Sequence, residues 1–112
     1  MAVGDRTEKR LGGPTQLNTN TTTIVTAAAG YDDIIKQIII TNTDSIDRNF
    51  SLAIGNAAVA GNRLISTLPI GGNDIIVFDT AIVLATGETL QGLADSNAKV
   101  NVTAIGWEKQ VS

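Results

Sequence analysis

Five aspartates stand in short polar stretches where a reaction or an ion could be served: Asp32 and Asp33 in one turn, Asp44 and Asp47 in another, and Asp74 after a Gly-Gly pair. Paired carboxylates are the chemistry of glycoside hydrolysis, with one acid held protonated on one side of a sugar cleft. Such a cleft needs aromatic platforms, and the only aromatic residues are Tyr31, Phe50, Phe78 and Trp107. Loop carboxylates also suit calcium, which makes Asp32, Asp33 and Asp74 possible ligands. Aspartate is, however, an ordinary turn residue whose side chain caps local backbone and keeps loops solvated, and that reading is preferred. Histidine and cysteine are both absent. This removes Ser-His-Asp and Cys-His nucleophiles and the Cys/His zinc sites. No Gly-Lys-Ser or Gly-Lys-Thr occurs, so no phosphate-cradling P-loop is present. The expectation is a chain without catalytic residues, cofactor or metal, and not an enzyme.

The elements around these aspartates read as strands. Hydrophobic residues make up 43% of the 112 positions, mostly Ile, Val, Leu and Ala. Branched side chains of this kind favour a pleated surface. The net charge of −3 argues against a general nucleic-acid binder. No apolar run, Ile38 to Ile40 included, approaches the length of about 20 residues that a membrane span needs. Charges at Asp5, Arg6, Glu8, Lys9 and Arg10 occupy the place of a signal peptide's apolar stretch. A soluble protein, made in the cytoplasm of its host without an export signal and with no membrane partner, is therefore expected.

Residues 1–14 have no period and end in Gly-Gly-Pro, which describes an extended N-terminal arm. Residues 15–112 form one domain. Strands are expected at 22–26, 34–43, 49–55, 64–68, 73–79, 81–85, 88–94 and 98–107, with 56–67 read as a loop containing a turn of helix that leads into the strand at 64–68. In the second hairpin strand, Phe50, Leu52 and Ile54 face one way and Ser51 and Ala53 the other. About eight short antiparallel strands with frequent turn signals predict an all-β, jelly-roll-like sandwich. Ile38, Ile40, Phe50, Leu52, Ile54, Ile76, Phe78, Leu90, Val100 and Val102 are its expected core. Trp107 follows Ile105 on the side of the last strand away from Val102 and Ala104. It either closes one end of the core or, with Tyr31, contacts a partner at an interface.

Four blocks carry a resemblance to a known family: Thr41-Asn-Thr43, Pro69-Ile-Gly-Gly72, Leu84-Ala-Thr-Gly-Glu-Thr-Leu90 and Val100-Asn-Val-Thr-Ala-Ile-Gly-Trp-Glu108. Over residues 20–108 the chain resembles small virion structural proteins of tailed phages, the capsid-decoration, minor capsid or tail-associated β-sandwich proteins. The resemblance implies a non-enzymatic virion component that assembles as a homo-oligomer, with a trimer favoured. It implies a decoration (cement) protein on the capsid surface, bound to the major capsid protein or another virion protein. A tail, baseplate or fibre-attachment component is the alternative, followed by a carbohydrate-binding module. In the first case Arg6, Lys9, Arg10 and Leu11 of the arm would bind the partner, since segments of this composition order on a partner.

Overall fold

The computed structural model describes residues 6–111. Eight strands follow in order: β1 (Arg6–Gln16), β2 (Thr22–Thr26), β3 (Tyr31–Asn42), β4 (Arg48–Ile54), β5 (Arg63–Ile70), β6 (Ile75–Leu84), β7 (Thr89–Ala94) and β8 (Val100–Gln110). A single 3-10 turn, Ala60–Asn62, precedes β5. No helix among these residues is long and apolar enough to cross a membrane.

The pairing is regular: β1 with β8, β2 with β7, β3 with β6 and β4 with β5, all antiparallel. The chain is thus one long hairpin ribbon, closed at the β4–β5 end. Rolling that ribbon up adds the β3–β8 and β4–β7 contacts and yields two four-stranded sheets. Sheet A has the order β1-β8-β3-β6 and sheet B the order β2-β7-β4-β5. This is the jelly-roll arrangement of an all-β sandwich.

The core lies between the sheets. Ile38, Ile40, Phe50, Leu52, Leu90, Val100 and Val102 are buried there as expected, while Ile54, Ile76 and Phe78 pack against it with part of their surface in solvent. Leu17, Val25, Ile35, Ile70 and Leu84 complete it. Along β3 the inward side chains are Asp33 and Ile35, then Ile38, Ile40 and Asn42. The phase changes at Lys36, where the register against β8 slips by one residue. A bulge of this kind re-aims every side chain beyond it.

Three expectations are corrected. Residues 6–14 are not a detached arm but most of β1, paired with β8 from Arg6 onward; residues 1–5 lie outside the described residues. An edge strand can be ordered by backbone pairing while its side chains stay wet, which is why a charged run fits there. Two register irregularities interrupt this pairing. At one of them Gly13 has φ +90 and passes against the Val102 carbonyl, where no side chain would fit. Second, the strands expected at 73–79 and 81–85 are one strand, β6, with an irregularity between Asp79 and Ile82. Third, Ser51 and Ala53 do not face a wetter side: both are buried. The β4–β5 register is irregular around them, and the Thr67 N–H donates to Ser51 Oγ at 2.9 Å.

Candidate partner-binding surface

The outer face of sheet A is the part of the molecule best furnished for contact. On β8, Asn101, Thr103, Ile105 and Trp107 alternate with the buried Val102, Ala104 and Gly106, so they point away from the core. Strand register sets their neighbours. Trp107 lies beside Ile34 of β3, which in turn faces Val83 of β6. One row along, Ile105 adjoins Gln37 and Asp79; in the next, Thr103 adjoins Ile39 and Val77. Ile34, Ile39, Ile105 and Trp107 are half-buried, and Val77 and Val83 are exposed. A broad apolar lane therefore crosses β8, β3 and β6. Polar side chains interrupt it: Lys36 is exposed at the β3 bulge, Thr103 stands on β8, and Gln37 Nε2 donates to Asp79 Oδ1 at 3.4 Å.

The β1 side of this face is charged. Glu8 is the register partner of Trp107, Arg10 of Ile105 and Arg6 of Lys109, and all three β1 residues are exposed. Lys9 has the opposite phase, opposite Gly106, and its ammonium lies 3.4 Å from Glu108 Oε1. An exposed pair of this kind contributes little to stability. Leu11 is partly buried and packs against the core. Of the four residues expected to bind through a free arm, then, Arg6 and Arg10 lie on the outer face, Lys9 pairs within the sheet, and Leu11 serves the core. Tyr31 and Trp107 are not brought together. Tyr31 shares the phase of the inward Asp33, and its carbonyl accepts a 2.7 Å hydrogen bond from Thr86 Oγ1.

The buried acid at this end is Asp33. It lies in one inner-face row between Leu84 and Glu108. Its Oδ1 has no hydrogen-bond partner. Burial, then the Glu108 charge, raise its pKa to about 6; Lys9 opposes and Asp32 adds to the shift. A raised carboxyl can serve as a general acid, and the carboxylate beside this one is Glu108, its register partner on β8. No cluster of three acidic, His or Cys side chains suited to a metal occurs among the described residues. Of the other aspartates weighed for calcium, Asp74 Oδ1 accepts from Ile75 N, the local capping that turn aspartates provide, whereas Asp32 lies in β3 and not in the expected turn, and its Oδ1 accepts from the distant Thr86 N. Asp44 is held below the usual carboxylate range by its hydrogen bond to Arg48, whose Nη2 lies 2.6 Å away.

One residue of structural weight was visible in the sequence without its role. Asn42, in the Thr-Asn-Thr block, is buried with its amide nitrogen 2.9–3.2 Å from the carbonyls of Ile46, Ile70 and Gly71. Its Oδ1 accepts the Asp44 N–H. That block therefore clamps two turns together.

Between the edges of the two sheets, β5 and β6 leave an apolar cleft of about 260 Å³. Ile38, Phe78 and Ile82 line it from sheet A and Leu52, Leu64 and Ile65 from sheet B, with Asp79 and Thr80 of β6 also in the lining.

No family model matches this chain, and no curated protein matches it. Among solved structures it is similar to an exo-β-1,3-galactanase from Phanerochaete chrysosporium, in a complex with β-1,3-galactotriose. The identity is 21%, the match covers 90% of this chain and 29% of that chain, and the TM-score is 0.38. This chain thus spans less than a third of that enzyme's length, and a likeness of this degree carries no functional argument.

Proposed function

We propose that the protein is a non-enzymatic structural component of a virus particle, a capsid decoration protein of a tailed phage that binds the major capsid protein. The observation that carries the reading is the apolar outer face of sheet A, with Trp107, Ile34, Ile39 and Ile105 at its centre and Arg6, Glu8 and Arg10 along its β1 side. Contiguous apolar surface rimmed by charge marks a protein interface more often than it marks anything else. The jelly roll supports the same reading, since viral capsid domains are among its common uses. A rigid sandwich with aliphatic packing and no oxidisable cysteine suits a particle that must persist outside the cell. Self-association belongs to this reading, and a trimer is the count that the family resemblance implies. Phage heads stripped of the chain test it. The purified protein should co-sediment with them to saturation, and Trp107→Ala should weaken that binding at least about 30-fold, as the loss of an aromatic anchor does. Binding to isolated tails and not to heads would favour the tail-component alternative.

A further inference from the structure

Each sheet of an open sandwich ends in two edge strands, whose free backbone groups invite a further strand unless something prevents it. Three of the four edges here are guarded. β1 carries Arg6, Glu8, Lys9 and Arg10, then Pro14 and two register irregularities. β2 has five residues and an irregularity of its own. β5 contains Pro69, and Thr67 sits at φ +52. β6 has the fewest of these devices, a single register irregularity between Asp79 and Ile82. It is ten residues long, has no proline, and carries Asp79 as its single charge. It pairs with β3 on one side only.

The apolar character of β6 is two-sided. Outward, Ile75, Val77 and Val83 are 58%, 52% and 56% exposed. Inward, Phe78 and Ile82 border the cleft toward Leu64 and Ile65 of β5. A strand added at this edge must therefore be apolar on both faces, one to extend the outer lane and one to roof the cleft. Among the edge strands described, only β6 itself has that pattern. We propose that β6 pairs antiparallel with β6 of a second copy about a two-fold axis, which joins the two A sheets into one.

The register follows from charge. An axis through Asp79 would set the two carboxylates opposite each other, and like charges directly opposed are destabilising. An axis at Val77 places Asp79 opposite Ile75 of the other copy and uses the half of β6 that precedes its irregularity. This pairing stands apart from the virion reading, because it rests on the edge and not on any capsid. It gives a dimer in place of the trimer that the resemblance implies.

The chain has no cysteine, so single-cysteine variants report without background. Opposed residues in an antiparallel pair have Cα atoms about 4.5–5.5 Å apart, which is within disulfide reach. In the full chain, Val77→Cys should form a covalent dimer under mild oxidation, and Glu8→Cys on β1 should not. The unmodified protein should sediment as a dimer, and Val77→Lys should raise its dissociation constant at least about 30-fold without changing the far-UV circular dichroism. A monomer at about 100 μM, a trimer, a dimer insensitive to Val77→Lys, or a dimer that does not cross-link through Val77→Cys would each overturn the proposal. Failure here with intact binding to phage heads would leave the virion reading standing; the reverse pattern would remove that reading alone.

Discussion

Asn42 sits at the end of β3 with its amide nitrogen facing three carbonyls and its oxygen taking the Asp44 N–H. Asn42→Ala strands these groups around a hole, and the loss should be about 2–4 kcal/mol by chemical denaturation. A change below about 1 kcal/mol would mean that water or a shifted turn replaces the amide. Phe50, 1% exposed, should cost about 3–5 kcal/mol on truncation to Ala. Asp33 acts in the other direction. Its folded pKa of about 6 lies above the ordinary 3.8, so between these values the folded chain holds a proton that the unfolded chain releases. Its contribution to stability is present below that window and is lost as pH rises through it. Asp33→Asn should therefore raise the melting temperature, relative to the unmodified protein, more at pH 8 than at pH 4. Equal effects at both would show that the carboxyl titrates normally. Little of this was legible in the sequence. Phe50 announced itself by alternation, but two of the partners of Asn42, Ile70 and Gly71, come from the end of β5 and the turn after it, and the Asp33–Glu108 proximity comes from a pairing across the whole domain. Leu17, fully buried, stood alone in a Thr- and Asn-rich run that read as a turn.

At the scale of elements, β4, β7 and β8 were legible because their sequences alternate between turn residues, and β2 because it is a run of β-branched residues. β6 was read as two strands for a physical reason, since the break in its alternation at Thr80 and Ala81 is the irregularity that the register shows. β1 was missed because the usual signal for a strand is an apolar face, and this edge strand has none over Arg6–Arg10. Backbone pairing with β8 holds it instead. Removal of residues 2–13 would strip most of that pairing, bare the β8 edge and uncover the region of the core that Leu11 packs against. The truncated protein should lose at least about 3 kcal/mol, a fall in melting temperature of roughly 10 °C or more, or fail to fold. A truncated protein with unchanged melting would return these residues to the status of a free arm.

For the molecule as a whole, alternation and turn spacing were enough to predict an all-β sandwich, but not which strands meet. Partner choice is set by how the ribbon rolls, and no local pattern records it. The outer face of sheet A was likewise half legible. Ile105 and Trp107 could be placed on one side of the last strand, whereas the neighbours that make them a lane, Ile34, Ile39, Val77 and Val83, are fixed only by register. At this scale the proposed role is that this face seats the sandwich on a viral shell. The most direct measurement is a cryo-EM reconstruction of phage particles from cells that make the protein. It should show a sandwich of about 46 × 25 × 19 Å at symmetry-related positions over the capsid, with the Trp107 face against the major capsid protein. A shell without that density, in particles whose protein content lacks the chain, would contradict it.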